Sequence, residues 1–120
     1  MTDQSASPSP GRRAAVYLRT GPLAEMIESD LEPLQDYAAE RGYQIVDVYR
    51  DEGKSGWDRK RAGLARLRAD AAQGRFDVVL VAHHKRLAAT EVDAQAIIEE
   101  LERHGVTVES LAGDIPLTAG

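Results

Sequence analysis

The chain has no cysteine, which excludes disulfide frameworks and thiolate zinc sites and fits a reducing cytoplasm. No stretch approaches the ~20 consecutive apolar residues of a membrane helix. Residues 1–11, rich in Ser and Pro, lack the apolar core of a signal peptide. The expectation is a cytoplasmic protein with no membrane partner. Positive charge is also scarce: 15 Lys and Arg stand against 20 Asp and Glu, a formal net charge of −5. A domain that holds nucleic acid over a broad surface is usually basic, so any DNA contact here has to be local.

What is present suits one globular domain. With 42% hydrophobic and 29% charged residues, 120 residues can bury a single core. The cations are unevenly spread. Lys54, Arg59, Lys60, Arg61, Arg66 and Arg68 lie close together, whereas acids dominate residues 25–40 and 91–102. Such a cluster is either the flank of a solvated charged helix or a surface that faces phosphate.

Residues 1–12 read as a disordered tail, because Ser, Pro and Gly dominate and no apolar period offsets the entropy of ordering. Residues 13–19 give a short buried parallel strand bounded by Gly21-Pro22. Ser29 or Asp30 caps a helix that stops at Gly42, with Pro33 in its first turn and Leu31, Leu34, Tyr37 and Ala38 at helical spacing. A second strand covers residues 43–49, with Asp51 just beyond it. Residues 52–60, with two glycines and dense charge around Trp57, read as a mobile loop. Residues 61–73 form a helix with Leu64, Leu67 and Ala71 inward and Gly74 as its stop, and residues 78–82 are the most apolar run. Thr90 caps a further helix with Val92, Ala96, Ile97 and Leu101 inward and Gly105 at its end, before a strand at residues 106–111. Strands alternating with helices imply βαβ units, hence a three-layer α/β/α domain with a mainly parallel sheet of about four strands.

In such a sheet, ligands bind beyond the carboxyl ends of the strands, near the point where strand order reverses. Those ends carry Arg19-Thr20-Gly21, Asp51-Glu52-Gly53 and His83-His84-Lys85-Arg86. Arg19, Arg61 and Arg86 can converge on a phosphate, since guanidinium groups offer forked donors and stay charged at ordinary pH. His83-His84 reads as a polar strand end rather than a metal site, because neighbours on a strand point in opposite directions and no third ligand has suitable spacing. Trp57 either stacks on a base or packs across its own loop. Asp51-Glu52 also invites comparison with a phospho-receiver pocket, a weaker reading without partner carboxylates near the first strand.

Several of these motifs, in order and at matching spacing, resemble the catalytic domain of serine site-specific recombinases, the resolvase and invertase family, over nearly all of residues 13–118. Tyr17-Leu18-Arg19-Thr20-Gly21 is similar to the family's Tyr-x-Arg-Val-Ser. Gly42-Tyr43 through Tyr49-Arg50-Asp51-Glu52-Gly53-Lys54-Ser55-Gly56 resembles its second strand and flexible loop. Arg61-Ala62-Gly63-Leu64 is similar to its Arg-Pro-Gly-Leu helix start, and residues 74–81 to its third strand. The resemblance implies a recombinase-like core and a serine that attacks a DNA phosphodiester, leaving a 5′-phosphoserine link and a free 3′-hydroxyl. It further implies arginines that stabilise the transition state, and no metal or nucleotide cofactor. Arg19, Asp51, Arg61 and Arg86 occupy matching positions and are the candidate catalytic residues. Lys54, Arg59 and Lys60 are candidate DNA-phosphate contacts.

The departures fall at the chemistry. The nucleophile position is Gly21, the family's Asp-Arg pair reads Lys85-Arg86, and the following Ser and Arg are Ala88 and Ala89. Glycine offers no nucleophile, and a lost charge-stabilising donor costs on the order of 10²–10³ in rate. Thr20 is no simple substitute, because on a strand it points away from the face shared by Arg19 and position 21. Ser29 and Ser55 read as a cap and a loop residue. The family's long dimer helix and helix-turn-helix DNA-binding region are not expected within these residues, which leaves weak, sequence-independent phosphate contact. The resulting expectation is an inactive recombinase-like domain, kept as an interaction or regulatory module or as a mobile-element remnant. Its partners would be DNA, an intact recombinase or a second copy. The alternatives are an active recombinase that uses another hydroxyl or a partner subunit, and a nonenzymatic DNA-binding accessory protein.

Overall fold

Strands β1 (Arg13–Arg19), β2 (Gln44–Asp51), β3 (Val78–Val81) and β4 (Thr107–Ser110) alternate with helices α1 (Met26–Arg41), α2 (Ala62–Ala72) and α3 (Glu91–Arg103), and a 3₁₀ turn spans His84–Arg86. The structure, a computed structural model, describes residues 12–19, 26–51, 61–88 and 90–113. All pairings are parallel and the strand order is β2-β1-β3-β4, as the alternation of elements implies. The order reverses between β1 and β3: the chain runs outward to β2 and then crosses back. This places α1 on one face and α2 with α3 on the other. Among the described residues no helix is long and apolar enough to cross a membrane.

β1 is buried over residues 14–19, because both of its faces are covered, and so its sequence is a continuous apolar run rather than an alternating one. Ala14, Val16 and Leu18 share a core with Leu34 and Ala38 of α1. Ala15 and Tyr17 join Leu64, Leu67 and Ala71 of α2 and Ala94, Ile98 and Leu101 of α3. The β1–β2 register jumps where Ala14 faces Ile45 but Ala15 faces Asp47. Val46 is the extra residue of a bulge. That bulge explains why Ile45 and Val48, three apart, both pack toward α1, whereas Tyr49 packs toward α2. It also sets Asp51 opposite Arg19, since a one-residue slip would carry the carboxylate to the other face.

α2 runs between Arg61 and Gln73 as its caps, and Gly74, at φ 74°, makes the left-handed exit that glycine adopts without strain. Thr90 caps α3 by accepting a hydrogen bond from the Asp93 N–H at 3.1 Å. β2 reaches Asp51, two residues past the expected end of the strand.

Three sequence expectations are corrected. α1 begins at Met26, not at Ser29 or Asp30, so Pro33 lies beyond the first turn and removes one helical hydrogen bond. The local cost is about 3 kcal/mol, and burying large apolar groups, at roughly 1.5–3 kcal/mol each, offsets it. In α3 the inward stripe is Ala94, Ile98 and Leu101, with Ile97 half-buried. Val92 is 78% exposed and Ala96 is exposed as well, because at 100° per residue both fall opposite that stripe. Arg12, assigned from sequence to the tail, is docked: it donates to the Asp77 carbonyl at 3.2 Å and to Thr107 Oγ1 at 3.4 Å, and sits over the Tyr43 ring.

Candidate active site

Strand alternation places Tyr17 and Arg19 on the α2 and α3 side of β1, and the Val46 bulge brings Asp51 to the same side of β2. The Asp51 carboxylate accepts hydrogen bonds from the Gly63 N–H at 2.8 Å, the Leu64 N–H at 2.9 Å and the Tyr17 hydroxyl at 2.8 Å. Arg61, the residue before α2, makes no side-chain cap of its own. Asp51 therefore caps α2 from the neighbouring strand, satisfying two of the free N–H groups at the helix start and placing negative charge at its positive end. A Cβ on Gly63 would stand 2.4 Å from the Arg50 carbonyl oxygen, so the helix can approach β2 this closely only with glycine there. Burial pushes the Tyr17 hydroxyl well above the usual phenol range, against the pull of the Arg61 charge, and the hydrogen bond to Asp51 adds to the rise. Tyr17 thus stays a donor.

The turn after β3 supplies backbone carbonyls. Arg19 donates through Nε to the Arg86 carbonyl at 2.9 Å and through Nη2 to that of Lys85. Arg61 donates to the Arg86 carbonyl at 3.4 Å and to that of Leu87, with its guanidinium 5.9 Å from the Tyr17 ring centroid. Burial and then the charge of Arg61 lower the pKa of Arg19, with Arg86 acting in the same direction, which reflects like charges crowded at one strand end. Arg86 turns toward α1. Its Nε lies 2.8 Å from Asp30 Oδ2 and its Nη2 is 3.5 Å from Oδ1.

The structure thus brings together Arg19, Asp51, Arg61 and Arg86, at the β1/β3 reversal where open parallel sheets bind ligands. Gly21, Lys54, Arg59, Lys60 and Ala89, along with Thr20, Ser55 and Trp57, lie outside the described residues. The Lys85 side chain is exposed. Two cations of the basic cluster are paired at the surface, Arg66 with Asp47 at 3.5 Å and Arg68 with Glu100 at 2.6 Å. No group of three or more His, Asp or Glu able to hold a metal occurs among the described residues. Sequence reasoning missed the roles of Tyr17, Gly63 and Asp30. The first has a readable signal, its place two residues before Arg19 on a strand. Asp30 has the sequence signature of a helix cap but in the fold pairs with a residue 56 positions away.

The parallel β2-β1-β3-β4 sheet with its three helices matches a resolvase-like α/β catalytic core. The chain belongs to the resolvase family: the family model described as "Resolvase, N terminal domain" matches residues 14–119. Among solved structures, the chain is similar to the C-terminal catalytic domain of ISC1926 TnpA, an IS607-like serine recombinase, at 31% identity over 82% of this chain and 70% of that one, with a TM-score of 0.77. It is also similar to the N-terminal catalytic domain of TP901-1 integrase, at 28% identity over 86% and 79% of the two chains and a TM-score of 0.77. A resolvase family site-specific recombinase from Streptococcus pneumoniae, 24% identical over 86% and 74% with a TM-score of 0.75, shares the fold. No curated protein matches significantly.

Proposed function

We propose that this domain is a serine-recombinase core that meets DNA backbone phosphates at Arg19, Arg61 and Arg86 but does not cleave the strand. It acts as an interaction or regulatory module toward an intact recombinase or a second copy of itself. The observation that carries this reading is Gly21, which the Tyr17–Gly21 motif resemblance sets at the place of the family's nucleophilic serine. A glycine has no side-chain nucleophile with which to take up a strand covalently. Lys85 and Ala89 point the same way, since one removes a carboxylate and the other a transition-state donor. The retained guanidinium groups suit phosphate oxygens, and Lys54, Arg59 and Lys60 add positive charge just before Arg61 in the sequence. With a net charge of −5, that contact is weak and insensitive to base sequence.

Retention of labelled duplex DNA tests the binding half of this reading. It should fall steeply as salt rises, because phosphate contacts release counterions, and should weaken when Arg61 is replaced by Gln. Supercoiled plasmid in the same mixture should stay intact. Retention that is indifferent to salt and to Arg61→Gln would exclude phosphate contact at this site.

A further inference from the structure

Asp30 brings a carboxylate of this chain to the candidate phosphate site. It lies on α1, buried, with its side chain 11% exposed against 14% for Arg86. The contact is two-pronged: Nε to Oδ2 at 2.8 Å and Nη2 to Oδ1 at 3.5 Å. These are donors of the side-on edge, the fork with which arginine grips a carboxylate or phosphate through parallel N–H bonds. Asp51, the other carboxylate of the cluster, already accepts three hydrogen bonds from α2 and Tyr17. Arg19 and Arg61 spend donors on the carbonyls of Lys85, Arg86 and Leu87. An arriving phosphate therefore finds the fork of Arg86 filled by an internal anion that is partly shielded from water.

We propose that Asp30 is a built-in counter-ion that competes with phosphate for Arg86 and so sets the anion affinity of the site. This rests on the reading that the arginine cluster faces phosphate. The two carboxylate oxygens stand where two phosphate oxygens would bind, and a carboxylate held within the fold competes at high effective concentration. Neutralising it frees charge-assisted hydrogen bonds for an external anion. Asn at this position keeps the shape of the side chain and one oxygen acceptor for Arg86, so α1 keeps its place.

The test follows the arginine Nε–H signals by NMR while inorganic phosphate is titrated into the unmodified domain, Asp30→Asn, Asp30→Asn with Arg86→Gln, and Asp36→Asn. Asp36 is exposed on the same helix, so its variant changes net charge equally without touching Arg86. Circular dichroism verifies the fold of each. Asp30→Asn should bind phosphate about tenfold more tightly, the equivalent of ~1.4 kcal/mol. The gain should vanish with Arg86→Gln and be absent from Asp36→Asn. In the unmodified domain, the Arg86 Nε–H signal should move at high phosphate, a readout that needs no substitution. Unchanged phosphate affinity in Asp30→Asn, or an equal gain in Asp36→Asn, overturns the proposal. Tighter phosphate binding by Asp30→Asn with no gain in duplex DNA retention supports the counter-ion and overturns the DNA reading. DNA retention by the unmodified domain with no effect of Asp30→Asn on either anion leaves that reading standing and overturns the counter-ion.

Discussion

The ends of β2 and β3 both border the arginine cluster, yet the fold uses them differently. At the end of β2, side chains carry the structure: Asp51 caps α2 and holds Tyr17, and Gly63 makes room for the Arg50 carbonyl. After β3, the turn contributes mainly backbone carbonyls to Arg19 and Arg61, so the Lys85 side chain can be exposed and vary. In the motif resemblance, the first end matches the recombinase pattern, whereas the second matches at Arg86 but not at Lys85, Ala88 or Ala89. A residue that matches a catalytic pattern can therefore be held in place by folding alone. Asp51 says little about chemistry, whereas Lys85, whose carbonyl alone enters the cluster, says more.

Substitutions sharpen this contrast. Gly63→Ala should be the most damaging, because its Cβ meets backbone rather than a movable side chain. A loss of about 3 kcal/mol is expected in chemical denaturation, and near-neutral behaviour would mean that α2 can withdraw from β2. Asp51→Ala should cost ~2–3 kcal/mol, through the lost cap and the stranded Tyr17 hydroxyl. Combining it with Tyr17→Phe should recover part of that loss, and strict additivity would deny the coupling. Arg19→Ala should cost ~1–2 kcal/mol by removing the Arg19 donor from the Lys85 carbonyl and leaving that of Arg86 only the longer bond from Arg61, whereas Lys85→Ala should stay within about 0.5 kcal/mol of the unmodified domain. Equal effects at the two positions would erase the distinction between carbonyl and side-chain use. The smallest effect belongs to Val92→Ser, within about 0.5 kcal/mol, set against a loss of ~2–5 kcal/mol for Leu101→Ala on the covered face of α3.

Local chemistry made much of this fold readable. The apolar run of β1, the helix stops at Gly42, Gly74 and Gly105 and the Thr90 cap are short-range signals, and β1 occupies residues 13–19 as read. The failures are long-range. Ile45, Val46 and Val48 are all apolar, so no pattern reveals that Val46 is the bulge residue; only pairing with β1 decides it. Pro33 signals a first turn, and packing against β1 and β3 overrides that signal. Val92 and Ala96 mimic an inner stripe that Ala94, Ile98 and Leu101 occupy instead. Within the candidate site, Arg19, Asp51, Arg61 and Arg86 were legible through motif resemblance. The Asp30–Arg86 pair was not, since a capping aspartate and a buried ion-pair partner look identical in sequence.

The recombinase architecture is present, and the proposed loss of strand cleavage turns on position 21. The most direct measurement incubates supercoiled plasmid with the unmodified domain and with a Gly21→Ser, Lys85→Asp, Ala89→Arg variant, then scores nicks and protein–DNA adducts on denaturing gels. Adducts are expected from the mended variant and none from the unmodified domain. A protease-sensitive adduct formed by the unmodified domain would contradict that loss.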